Sequence, residues 1–188
     1  MNWELHILTE CHIDLLLVET ISPPKTRYNK QKNCIEIFKM LENEKRQFYN
    51  NPAFGIIDND KDKPKGFSSC VLLREHSEVL SIYKRGNYQY IAVVGSKNKA
   101  IEDFILKNAE KCNISLSDYG LPTNLKELLS ITKHLNNKRE DNHSNITNFI
   151  RLFKAINKNK NSDFYKLSEW IKLFKEDPRK INIELLNK

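Results

Sequence analysis

No apolar run in the sequence approaches the roughly 20 residues that a membrane-spanning helix requires. The opening, Met1-Asn-Trp-Glu4, has neither the basic start nor the apolar core of a secretory signal. A cytoplasmic protein with no membrane partner is the expectation. Cysteine is sparse: Cys11, Cys34, Cys70 and Cys112 lie far apart, with no CxxC pair and no Cys/His cluster at zinc spacing. Reduced, buried thiols fit that pattern better than a disulfide framework or a zinc site. There is no internal repeat and no clear linker.

What is present fits a folded globular chain, with 39% hydrophobic and 29% charged residues. Its 188 residues are enough for one domain with a buried core, carrying at most an appendage. The net charge of +7 is unevenly spread. Residues 1–120 hold 17 Lys and Arg against 16 Asp and Glu, whereas residues 121–188 hold 14 against 8. A basic tail on a nearly neutral body is the electrostatic footprint expected for a polyanion. Compositional bias toward Lys and Asn explains it equally well.

The stretch richest in chemistry is Phe54-Gly-Ile-Ile-Asp58-Asn-Asp60-Lys-Asp62. Its apolar start reads as a buried strand that runs out into turn-forming acidic residues. In extended chain, residues two apart face the same side, so Asp58 and Asp60 can converge on one point. Two such carboxylates repel unless a cation lies between them. A solvated acidic loop is the plainer account of an isolated DxD. An EF-hand loop is excluded, because Lys63 stands where it needs glycine and Ser69 where it needs the bidentate glutamate.

The rest of the chain gives these residues a setting. Leu5–Thr9 reads as a first strand ending in Glu10, followed by a turn and a helix through Ile13–Val18 with Asp14 in its first turn. A carboxylate there is also favoured simply by the helix dipole. Residues 22–33 read as a basic loop opened by two prolines, and Cys34–Phe48 as an amphipathic helix. Cys70–Leu73, Val79–Tyr83 and Tyr88–Val94 are β-favouring, with a hairpin turn at Arg85-Gly86-Asn87. Gly95–Lys99 then leads into a helix carrying Glu102 and Asp103 in its first turn, with Ser96 or Asn98 as N-cap. Beyond Gly120 three apolar stripes at helical spacing follow: Leu125 to Leu135, Phe149 to Ile156 and Phe164 to Phe174. Alternating strands and helices predict an α/β fold, and Glu10, Asp58, Asp60 and Glu102 then fall at the strand ends where open sheets bind ligands. Oxygen donors without histidine suit Mg²⁺ or Mn²⁺.

Glu10-x-x-x-Asp14 after a first strand, followed by Asp58-x-Asp60 after a later one, resembles the Toprim domain of topoisomerases, DnaG-type primases and overcoming-lysogenization-defect (OLD) nucleases. Glu102 entering a helix is more similar to the OLD-type branch. The resemblance covers about residues 5–107. It implies a Toprim-like α/β catalytic domain over residues 1–120, with a mainly parallel central sheet flanked by helices. Residues 121–188 would be a basic, all-helical extension packed on it. It further implies a Mg²⁺- or Mn²⁺-dependent nuclease whose metal is held by Glu10, Asp14, Asp58, Asp60 and Glu102. Glu10 would be general acid or base, and a lysine from the later helices, best matched by Lys133, would stabilise the transition state. The partner would be nucleic acid, DNA in preference to RNA, and the setting bacterial defence against phage. OLD-type enzymes carry an ATPase; this chain lacks GxxxxGK[ST], so an ATPase would be a separate protein. Pairing through residues 122–175 would allow an oligomer. Two departures stand out: Cys11 replaces the glycine that commonly follows the Toprim glutamate, and no glycine follows the DxD near Asp62. The rival readings are a non-catalytic nucleic-acid-binding subunit on a Toprim-like scaffold and a phosphatase of the haloacid dehalogenase type. The second places its DxD on the first strand, unlike Asp58.

Overall fold

The computed structural model describes residues 3–59, 63–137 and 143–187. Among them the chain forms β1 (Ile7–Thr9), α1 (His12–Ile21), β2 (Asn29–Lys30), α2 (Cys34–Glu42) and β3 (Ala53–Asp58). There follow β4 (Val71–Ser77), β5 (Leu80–Arg85), β6 (Gln89–Val94) and α3 (Ile101–Lys111). The last four helices are α4 (Leu125–Asn137), α5 (His143–Asn157), α6 (Asp163–Glu176) and α7 (Ile183–Asn187). The six strands make one mixed sheet in the order β2-β1-β3-β6-β5-β4. The first four in that order run parallel, and β5 and β4 are antiparallel. The protein is therefore α/β, with a mostly parallel sheet.

The central strands are buried on both faces, as parallel strands covered by helices must be. Along β3, Phe54 and Ile56 enter the larger core with Ile7 and Tyr90, whereas Ala53 and Ile57 face a smaller core beneath α2. Gly55 lies on that second face. A Cβ there would stand 3.0 Å from Ile91 Cδ1 and 3.2 Å from Ile37 Cγ2, so glycine is what lets α2 pack this closely.

Three expectations are corrected. The first strand is shorter than Leu5–Thr9, because Glu4–His6 form a 3₁₀ turn before β1. The basic loop at 22–33 contains strand β2, paired as Leu8↔Asn29 and Thr9↔Lys30. Two polar residues at a sheet edge give no alternating apolar signal. The helix predicted to reach Phe48 stops at Glu42 and is capped by Asn33, whose Oδ1 accepts the Glu36 N–H at 3.0 Å.

The three apolar stripes of the later helices turn inward into the larger core, α4 packing on α1 and α3 and α5 on α1 and α6. Phe149, Phe153, Phe164 and Phe174 are fully buried in the same core as β1, β3 and β6. Phe174 of α6 packs directly on the strands, its ring 5.6 Å from Phe54 and 6.5 Å from Tyr90. Because α6 and the sheet share this contact, Phe174→Ala should cost about 3–5 kcal/mol and leave a single unfolding transition. Circular dichroism of the helices and fluorescence of the buried aromatics should report the same midpoint. Two separated midpoints would show that the later helices fold independently of the sheet.

Candidate functional site

The C-terminal ends of β1, β3 and β6 lie side by side, in register through Thr9↔Ile56 and Asp58↔Val94. From β1 the chain moves through α1 to β2 on one side, while β3 lies on the other. A crevice at such a reversal is where open α/β sheets take their ligands. Glu10 follows β1 directly and Asp58 ends β3. Glu10 Oε2 accepts the backbone N–H of Asp58 at 3.2 Å, tying the two strand ends together. The next residue, Asn59, is stitched to the turn after β6: its N–H donates to the Val94 carbonyl at 2.8 Å and its Nδ2 to the Gly95 carbonyl at 3.1 Å. Gly95 adopts φ +88°, and a Cβ there would meet the Ala100 carbonyl at 2.8 Å. That tight turn delivers the chain into α3, whose second residue is Glu102. The expected N-caps Ser96 and Asn98 do not cap α3; Ala100 occupies that position. Instead Asp103 reaches back, its Oδ2 accepting the Ser96 N–H at 2.9 Å.

Asp14 is 1% exposed. Its Oδ2 accepts the Cys11 N–H at 2.9 Å, closing a capping box at the start of α1. The capping account of Asp14 is thus realised, but it explains only one oxygen. Oδ1 is buried and has no hydrogen-bond partner. Glu102, 5% exposed, repeats the arrangement. Its Oε1 accepts the Thr132 hydroxyl from α4, and its Oε2 is buried without a partner. Burial, then the charge of Glu10 and, more weakly, that of Glu102 push the Asp14 carboxyl up to about 7, against the opposing hydrogen bonds from Cys11. Burial and the neighbouring Asp14 likewise push the Cys11 thiol far up, so it is no nucleophile at neutral pH.

Glu10, Asp14, Asp58 and Glu102 are therefore neighbours at one edge of the sheet. Asp60 lies outside the described residues. Lys133 is exposed on α4, one residue beyond Thr132. The structure brings Lys63 to the end of β3, where its ammonium donates to the Asp58 carbonyl and stands 5.4 Å from the Phe67 ring. Among the described residues, no three Asp, Glu, His or Cys side chains are grouped closely enough to enclose a metal ion. The donor chemistry nevertheless fits a hard cation: the donors are carboxylate oxygens, and two of these, Asp14 Oδ1 and Glu102 Oε2, are buried and bare. Sequence reading missed Lys63 and Thr132. The sole hint of Thr132 was a hydroxyl residue within an apolar stripe.

Fold and side chains together define an α/β protein with a group of acidic side chains, Asp14 and Glu102 among them buried, at the strand ends where the chain switches sides of β1. No protein-family model, curated protein or solved structure matches the chain.

The raised Asp14 pKa has a consequence for stability. Between the unfolded value near 3.8 and the folded value near 7, the folded state binds the extra proton, so its stability falls as pH rises through this window. Asp14→Asn keeps an oxygen for the Cys11 N–H and removes the charge. At pH 8 without divalent metal it should melt above wild type, by roughly 2–4 °C per kcal/mol of relieved repulsion. The advantage should shrink toward pH 5. A variant that melts below wild type at pH 8 would mean that the Asp14 charge is compensated in the folded protein.

Proposed function

We propose that the protein is a Mg²⁺- or Mn²⁺-dependent nuclease that hydrolyses phosphodiester bonds, on a Toprim-like scaffold closest to the OLD-type branch. The observation that carries this reading is the pair of bare, buried carboxylate oxygens on Asp14 and Glu102 beside Glu10 and Asp58. Native proteins rarely leave such atoms unpaired, and a functional ligand is one of the few explanations.

Asp14, Asp58, Asp60, Glu102 and Glu10 would hold the cation. When bound, it polarises a phosphate and lowers the pKa of an attacking water. Glu10 gives or takes a proton at the reacting oxygen. A lysine offsets the charge that develops on the phosphate. Lys133 takes this part by resemblance, and Lys63 already places an ammonium at the Asp58 carbonyl. The basic residues of 121–188 give a salt-sensitive, sequence-independent grip on a nucleic-acid backbone, DNA in preference to RNA. A separate ATPase partner and a role as a cytoplasmic defence effector follow from the resemblance alone.

A second reading, a non-catalytic nucleic-acid-binding subunit, is favoured by one observation: no three ligating side chains close on a common point among the described residues. Cleavage of supercoiled plasmid and of tRNA with Mg²⁺ or Mn²⁺ separates the two. The nuclease reading predicts nicking by wild type and a loss of at least about 100-fold in Asp58→Ala, the scale of a lost metal ligand or its supporting group. Salt-dependent DNA binding that is equal in both proteins, with no cleavage by either, would establish the binding subunit instead.

A further inference from the structure

Thr132 occupies a place that its own helix does not explain. On α4 it lies between Leu128 and Leu135, both buried, in the stripe that faces the protein interior. An aliphatic side chain would suit that stripe, yet the position holds a hydroxyl that is 1% exposed. A threonine within a helix ordinarily returns its hydroxyl to a carbonyl of the preceding turn, and the Leu129 carbonyl stands 3.2 Å from Oγ1. One hydroxyl has one proton, however, and Glu102 Oε1 is the nearer acceptor. A carboxylate also outcompetes a neutral carbonyl, since hydrogen bonds to ionised groups are roughly twice as strong. The proton belongs to Glu102.

The consequence lies in the geometry of the acidic cluster. Asp14 and Glu102 each have one oxygen fixed by a donor and one bare oxygen. For Asp14 the donor is the Cys11 N–H, a backbone group that no substitution except proline removes. For Glu102 it is a side chain from α4, thirty residues along the sequence. With both partners buried, bulk water cannot replace the hydroxyl. Holding Oε1 fixes the rotation of the carboxylate and so sets the direction of Oε2.

We propose that Thr132 is a positioning residue for the cation site: its hydroxyl orients Glu102 so that Oε2 and Asp14 Oδ1 present themselves to one divalent ion. This inference rests on the metal-dependent reading above. It also gives α4, which packs against both α1 and α3, a part in the site that does not involve touching the ligand. Groups that orient metal ligands typically contribute about 10- to 100-fold in affinity.

Mn²⁺ titration calorimetry on wild type, Thr132→Val, Thr132→Ser and Glu102→Gln tests the inference, with circular dichroism as the check on folding. Valine keeps the shape and removes the hydroxyl; serine keeps the hydroxyl and removes the methyl. The expected result is Mn²⁺ binding by wild type, about 10- to 100-fold weaker binding by Thr132→Val, and binding by Thr132→Ser within a few-fold of wild type. Equal affinity in wild type and Thr132→Val would overturn the role of Thr132 while leaving the metal reading intact. Equal weakening by valine and serine would assign the effect to packing of α4 and overturn it too. No Mn²⁺ binding by folded wild type would remove the metal reading itself, and the inference with it.

Discussion

Carboxylates buried beside one another repel, and the surrounding fold must hold them together regardless. Asp14 and Glu102 are each more than nine-tenths buried, and Asp14 feels the charge of both Glu10 and Glu102. Isolated ionised groups in such surroundings are costly unless they are paired, neutralised or bound to a cation. Donors from separate elements hold this group in place: the Cys11 N–H on Asp14, the Asp58 N–H on Glu10 and the Thr132 hydroxyl on Glu102. On Asp14 and Glu102 the donor satisfies one oxygen, and the other is buried without a hydrogen-bond partner. Under the proposed metal-dependent reading, a cation would supply the missing compensation.

The architecture follows from that demand. Parallel strands bring their C-terminal ends, and the helices that follow them, to one edge of the sheet. Two strand-to-helix junctions, β1 to α1 and β6 to α3, then supply Asp14 and Glu102 from the first turns of their helices. Strand β3 between them brings Asp58, fixed in register with Val94. The later helices cover the same face through Phe149, Phe153, Phe164 and Phe174 and deliver Thr132 to Glu102. Their exposed sides carry much of the basic charge, so one set of helices contributes both to the core and to the positive surface.

Much of this arrangement was legible in the sequence because its signals are local. The apolar run ending at Asp58, the glycine turn at Arg85–Asn87 and the 3.6-residue stripes of the last helices all become elements of the expected type. The carboxylates at strand ends follow once those elements are placed. Strand β2 was not legible: it is two polar residues whose only determinant is pairing with β1. Thr132 and Lys63 escaped for a related reason. Each acts on a residue that no local sequence pattern pairs it with, Glu102 across thirty positions and the Asp58 carbonyl across five. The capping of α3 was misassigned because Asp103 satisfies the Ser96 N–H from within the helix, reversing the usual direction of an N-cap.

The most direct test of the account is anomalous diffraction from crystals grown with Mn²⁺. The account predicts a Mn²⁺ peak ligated by Asp14 Oδ1 and Glu102 Oε2, with Glu10 and Asp58 at its edge. Crystals saturated with Mn²⁺ that show no peak beside these carboxylates, with both oxygens still buried and bare, would contradict it. The carboxylates would then be a structural cluster whose repulsion the fold tolerates without a ligand.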